Sequence, residues 1–164
     1  MNSYKYNKSL TATVYIIKDS RVLLHKHKKY NTWFPVGGHL EENELPHEAA
    51  IREAAEESGL KISLLSTDSK DFSLGLVGRV PTPFAVYHEG IGSPEEFLDF
   101  IYIGIPEADT PSEKAENSEL RWFSYEELQD ENEDIKIHIR NTAIACLSCI
   151  NTSFQEKYFT NGIL

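Results

Sequence analysis

The order of elements legible in this chain predicts one α/β (α+β) domain with mixed strand pairing. Three observations carry that reading. Two strand-like stretches open the chain, the first rich in β-branched residues. A compact helix signature follows at 46–59. More strand-like stretches and a long closing helical pattern complete it. With 164 residues the chain is one domain, 1–164, long enough for a proper core. Its hydrophobic fraction of 40% is ordinary for a globular protein.

Leu10–Ile17 (LTATVYII) reads as a strand, Lys18-Asp19-Ser20 as a turn, and Arg21–His27 (RVLLHKH) as the returning strand of a hairpin. Lys28–Thr32 is a polar loop. Trp33-Phe34-Pro35-Val36 leads into Gly37-Gly38, read as a glycine-rich turn. After the helix, Lys61–Ser66, Ser73–Arg79 and Phe84–His88 are candidate strands, the last two separated by Pro81 and Pro83. Gly90–Glu96 is a loop and Phe97–Ile105 (FLDFIYIGI) the most apolar strand. Pro106–Ser118 is a long acidic loop without periodicity. Leu120–Phe123 is a short strand. Ser124 and Glu127 form a capping box that opens a helix. Asp134 to about Tyr158 reads as the closing helix, with Ile139, Ala143, Cys146, Ile150 and Phe154 near one face.

The helix at 46–59 is the best specified. Pro46 suits its first turn and Gly59 the left-handed residue past its end. Leu45 is an irregular N-cap, since it has no side-chain acceptor. Ala50, Ile51, Ala54 and Ala55 form the expected apolar side, and Arg52 is spaced to bridge Glu48 and Glu56. Glu53, Glu56 and Glu57 fall at i, i+3 and i+4, on one face. Three such carboxylates repel one another. A hard divalent cation, Mg²⁺ or Mn²⁺, reverses that cost because it prefers carboxylate oxygen.

Gly38, five residues, Glu44, seven residues, then Arg52-Glu53-Ala54-x-Glu56-Glu57-x-Gly59-Leu60 resembles the Nudix box, GX5EX7REUXEEXGU, over 38–60. Every fixed position matches, and Ala54 is smaller than the usual aliphatic residue there. The preceding strand, loop and tryptophan–proline–glycine stretch are also similar to Nudix (MutT-like) hydrolases. The resemblance implies a mixed sheet sandwiched between the box helix and a C-terminal helix. It implies hydrolysis of a diphosphate linked to another group, typically in a nucleoside diphosphate derivative. It makes Glu53, Glu56 and Glu57 the metal ligands, with the Gly37 carbonyl a further one. Arg52 would orient the glutamates and Glu44 would support the turn. Family members often add a carboxylate from a distant loop, and Glu116, ahead of Glu113 and Glu119, is the expected residue here.

Other features leave alternatives open. His25, Lys26, His27, Lys28 and Lys29 make the one basic cluster of an acidic chain. Either they attract substrate phosphate, with His27 and Lys28 foremost, or they are a solvated strand end. Trp33 either stacks on a nucleobase or packs beneath the glycine pair. The formal net charge of −10 argues against nucleic acid as a partner. The opening MNSYKYNKSL is polar and no apolar run reaches membrane-spanning length, so the expectation is a cytoplasmic protein with no membrane partner. Cys146 and Cys149 form a lone CxxC without further zinc ligands or a redox context, and read as structural thiols. Substrate tags of the ADP-ribose, dinucleoside polyphosphate, NADH and coenzyme A subfamilies are missing. A nucleoside triphosphate or nucleotide sugar is therefore the expected substrate. The alternatives are a catalytically silent nucleotide-binding regulatory module and an isopentenyl-diphosphate-isomerase-like enzyme. A homodimer is one assembly the resemblance allows.

Overall fold

In the first strand, β1 (Lys8–Lys18), successive residues point to opposite faces. Ala12, Val14 and Ile16 go to one buried side, Tyr15 and Ile17 to the other. This computed structural model describes residues 8–65, 78–108, 115 and 119–159, the side chains of 8 and 151–159 aside. At the end of β1, Asp19 and Ser20 take positive φ angles of 49° and 58°. Two left-handed residues match the twist of a tight hairpin, and they set Lys18 opposite Arg21 at the start of β2 (Arg21–Lys26).

The glycine pair is not a turn. Gly37 and Gly38 lie in a strand, β4 (Val36–His39), opposite Thr13 and Ala12 of β1. A Cβ on Gly37 would stand 2.5 Å from the Ala12 carbonyl oxygen, so glycine is there for the close approach of two backbones. β2 and β4 share one edge of β1, and β7 (Glu96–Pro106) runs parallel along the other. A parallel pair needs a crossover, and α1 (Pro46–Ser58) lies within it. β5 (Ile62–Leu64) and β6 (Ala85–Glu89) take opposite halves of the free edge of β7. β3 (Trp33–Phe34) and β8 (Leu120–Ser124) both pair with β2. Of the Ser73–Arg79 candidate strand, 73–77 lie outside the described residues, and 78–79 form no strand.

Each face of this mixed sheet is covered by one helix. Ala49, Ala50 and Ala54 of α1 pack on Ala12, Val14, Ile16 and Tyr102. Ile139, Ala143, Cys146 and Leu147 of α3 (Ile137–Phe159) pack on Tyr15, Ile17, Val22 and Ile101. The sandwich implied by the resemblance is therefore the fold. One detail differs. Ile51 is 41% exposed, because the buried stripe of α1 runs through Ala50, Ala54 and Ser58 with Ala49 beside it. Leu45 indeed caps α1 without a side-chain bond, and the Glu48 carboxylate instead accepts the Leu45 N–H at 2.9 Å. Gly59 takes φ 71° and donates its N–H to the Ala55 carbonyl. Cys146 is buried in the core under α3, and burial pushes its thiol pKa up, which keeps it inert. Among the described residues no helix is long and apolar enough to cross a membrane.

The capping box at α2 (Tyr125–Gln129) is complete: Ser124 Oγ accepts the Glu127 N–H at 3.3 Å and Glu127 Oε2 accepts the Ser124 N–H at 2.7 Å. Ser124→Ala is expected to lower unfolding stability by about 1 kcal/mol. Urea denaturation with an unchanged m-value checks this; an unaltered midpoint would show that the cap is dispensable.

Candidate active site

Arg52 organises the acidic face of α1. Its guanidinium has five N–H donors, and each finds an acceptor. Nε and Nη2 grip the two Glu44 oxygens at 2.8 and 3.0 Å. Nη1 donates to Glu53 Oε1 at 2.8 Å and to Glu56 Oε2 at 3.0 Å, and Nη2 also reaches the His39 carbonyl at 3.1 Å. Glu48 is not bridged, because its carboxylate is committed to Leu45. The hydrogen bonds from Arg52 hold the Glu44 carboxyl below the usual range. Glu44 also accepts the Glu41 N–H at 2.8 Å, tying the loop ahead of α1 to the same guanidinium.

The three glutamates differ in environment. Glu53 lies against Gly38, where a Cβ would come within 2.3 Å of its Oε1. Burial pushes the Glu53 carboxyl up, and the Glu57 and Glu56 charges add to that, against the pull of Arg52. Glu57 Oε2 accepts the Gly37 N–H at 2.9 Å and sits 3.8 Å from Nε2 of His25. Glu56 is the outermost, its side chain 47% exposed. Among the described residues no three His, Cys, Asp or Glu side chains already converge as a metal site. Arg52 draws Glu53 and Glu56 to itself. The donor set nonetheless fits a hard divalent cation: hard carboxylate oxygens of Glu53, Glu56 and Glu57 gather on one helix face.

The basic cluster splits by strand alternation. His25 is buried, 4% exposed, toward Glu57. Lys26 lies over the Trp33 ring and pairs with Asp134 at 3.6 Å. His27 Nδ1 accepts the N–H groups of Lys29 and Tyr30, which folds the loop, and Lys28 is exposed on that loop. Trp33 is 6% exposed and edge-on to Phe123. Of its two readings, stacking on a base needs an exposed ring, and this ring is packed in the core. Glu113 and Glu116 lie outside the described residues. Glu119 is described, and its carbonyl accepts the Lys26 N–H.

A cleft of about 770 Å³ opens on the α3 side of the sheet, lined by Tyr30, Phe34, Glu89, Phe97, Lys136 and His138 among others. His27, Tyr30 and Phe34 form a ring cluster with centroids 4.7–5.8 Å apart. Lys136 Nζ stands 5.2 Å from both the Tyr30 and Phe34 rings. Two chains of contacts lead from the aromatic cluster and the cleft lining toward the glutamates. Phe97 touches the His39 ring edge-on at 5.6 Å, and the His39 carbonyl is held by Arg52. The His27 ring is 5.9 Å from that of His25, which faces Glu57. Tyr30, Phe34, Glu89 and Lys136 escape sequence reasoning because no periodicity links a loop, an edge strand and a helix start.

The family model for the NUDIX domain matches residues 8–142. Among solved structures, a NUDIX-family hydrolase from Clostridium perfringens is 30% identical, with a TM-score of 0.74 over 88% of this chain and 99% of that one. A MutT NUDIX hydrolase from Burkholderia pseudomallei is 20% identical, TM-score 0.56, over 84% and 96%. An ADP-ribose pyrophosphatase from Streptococcus suis is 16% identical, TM-score 0.60, over 87% and 91%. The last two likenesses are of fold alone.

Proposed function

The chain belongs to the NUDIX family and is a hydrolase of phosphorus-containing anhydrides; from that premise we propose that it is a Mg²⁺- or Mn²⁺-dependent pyrophosphohydrolase of nucleoside diphosphate derivatives. The observation that carries this reading is the Arg52 network, which holds Glu53 and Glu56 beside Glu57 on one face of α1. A diphosphate is strongly anionic, and its attack by water is repelled until charge is neutralised. Bound divalent metal supplies that neutralisation and makes water a stronger nucleophile.

The remaining work belongs to the chain. Glu53, Glu56 and Glu57, with the Gly37 carbonyl, would hold the metal. Arg52 fixes where the carboxylates stand, so little reorganisation is left for the moment of reaction. Glu44 fixes Arg52 in turn. The loop acid Glu116 is proposed to complete the site from a second direction. The cleft on the α3 side would seat the nucleoside, with Tyr30 and Phe34 beside the base. His27 would act by shaping that wall, and Lys28 by attracting the anion from solution.

The test is a screen of nucleoside triphosphates and nucleotide sugars with Mg²⁺ or Mn²⁺, identifying both products. Cleavage within the diphosphate is expected. No turnover of any of them with either metal would sink the proposal. A second measurement is independent of turnover. Metal that binds only the folded glutamate face must stabilise it. Millimolar Mg²⁺ is therefore expected to raise Tm by several degrees, about 2–4 °C for each kcal/mol of binding linkage in a domain of this size. Absence of both a shift and calorimetric binding would count against the metal site.

A further inference from the structure

Glu89 is the last residue of β6, and alternation along that strand turns Ala85, Tyr87 and Glu89 to the side covered by α3. Ala85 packs on the core and Tyr87 pairs its hydroxyl with Thr142 at 3.1 Å. Glu89 is half-buried in the cleft wall, and among the described residues its carboxylate makes no hydrogen bond or ion pair. Its neighbour Asp99 is satisfied, accepting the hydroxyls of Thr11 and Thr13 at 2.9 and 2.8 Å. Burial, then the Asp99 charge, push the Glu89 carboxyl up, against the influence of Lys136. A half-buried carboxylate without donors is costly, and an ionised one accepts only. The ligand group that relieves it is therefore a hydrogen-bond donor, best two side by side.

The same cleft presents flat apolar surface in Tyr30 and Phe34. A planar ligand with two adjacent N–H donors on one edge fits both features. Among the nucleobases that edge is guanine's, where N1–H and the exocyclic N2 amino group stand beside each other. Adenine and cytosine set a ring acceptor beside their amino group, and uracil has a single N–H between two carbonyls. Each of those would place a lone pair against the Glu89 oxygens. We propose that Glu89 is a specificity-determining residue that accepts both N–H groups of a guanine edge, making guanine nucleoside diphosphate derivatives the substrate class. This rests on the proposed function, since it assigns the base of a nucleotide substrate to this cleft.

Binding of nucleoside monophosphates tests it without turnover, because they hold no anhydride to cleave. Guanosine, inosine and adenosine monophosphates are titrated calorimetrically into the wild type and Glu89→Gln. Guanosine monophosphate is expected to bind about tenfold or more tighter than adenosine monophosphate, a paired contact to a base edge being worth roughly that or more. Inosine monophosphate, lacking the N2 amino group, is expected to fall in between. Glu89→Gln, nearly isosteric, should narrow the guanosine-to-adenosine ratio to below about threefold, since an amide offers one acceptor where the carboxylate offers two. Equal binding of guanosine and inosine monophosphates by the wild type would overturn the proposal with no variant needed. So would an undiminished ratio in folded Glu89→Gln. A hydrolysis screen without any turnover would sink the parent reading while leaving these titrations to decide Glu89.

Discussion

Glu57→Gln is expected to lower kcat by about a hundredfold or more at saturating Mg²⁺, comparable to removing a principal charge-stabilising group from other active sites. The fold should survive. The Gln amide oxygen can still accept the Gly37 N–H that Glu57 accepts at 2.9 Å, and volume is conserved. What disappears is one negative charge from a face where three are gathered. Glu56→Gln should also cut turnover by orders of magnitude. It removes the outermost carboxylate, which accepts a hydrogen bond from Arg52 at 3.0 Å. Steady-state kinetics with circular dichroism on the same samples measures both effects. Wild-type kcat in both variants would mean that the glutamate face does not participate in the reaction.

Alanine at the two adjacent glycines is expected to have two different effects. In Gly37→Ala the new Cβ would meet backbone, 2.5 Å from the Ala12 oxygen and 2.8 Å from the Thr13 Cα. Backbone in the middle of a sheet cannot step aside, so β4 would have to part from β1. The expected loss is about 2–4 kcal/mol of stability, the range for overpacking with broken strand pairing. In Gly38→Ala the Cβ would meet a side chain instead, Glu53 Oε1 at 2.3 Å and Cδ at 2.7 Å. That side chain can swing away and leave the strand in place. Stability should then fall by less than about half as much, while activity per folded molecule drops sharply because Glu53 leaves its position. Urea denaturation and kinetics on both variants separate the cases. Equal stability losses, with kcat of Gly38→Ala unchanged, would show that the Gly38–Glu53 contact does not position the carboxylate.

What depends on neighbours along the chain was legible in the residue order. α1 could be read from Pro46 and Gly59, and its acidic face from a spacing that helix geometry alone converts into adjacency. The β1–β2 hairpin followed from Lys18-Asp19-Ser20 between two strand-like stretches. The capping box at Ser124 and Glu127 was equally local. The same reasoning misplaced Gly37-Gly38, because a glycine pair signals a turn and a close backbone contact alike. Only the partner strand β1, more than twenty residues earlier, distinguishes them. It also placed Ile51 on the buried side, since the apolar pattern cannot tell which edge of an alanine stripe the sheet covers.

Tertiary structure alone decided the rest. It gave Arg52 its full set of acceptors, including Glu44 and the His39 carbonyl from outside the helix. It took His25 out of a seemingly uniform basic run and set it beside Glu57, because strand alternation sends neighbours to opposite faces. It brought Tyr30, Glu89 and Lys136, from a loop, an edge strand and a helix start, to one cleft. The physical reason is the range of the forces that leave a pattern in sequence. Helix spacing, caps and strand alternation act over a few residues. A cleft is made by chain segments that meet only because hydrophobic faces elsewhere had to be covered, and that meeting leaves no periodic trace.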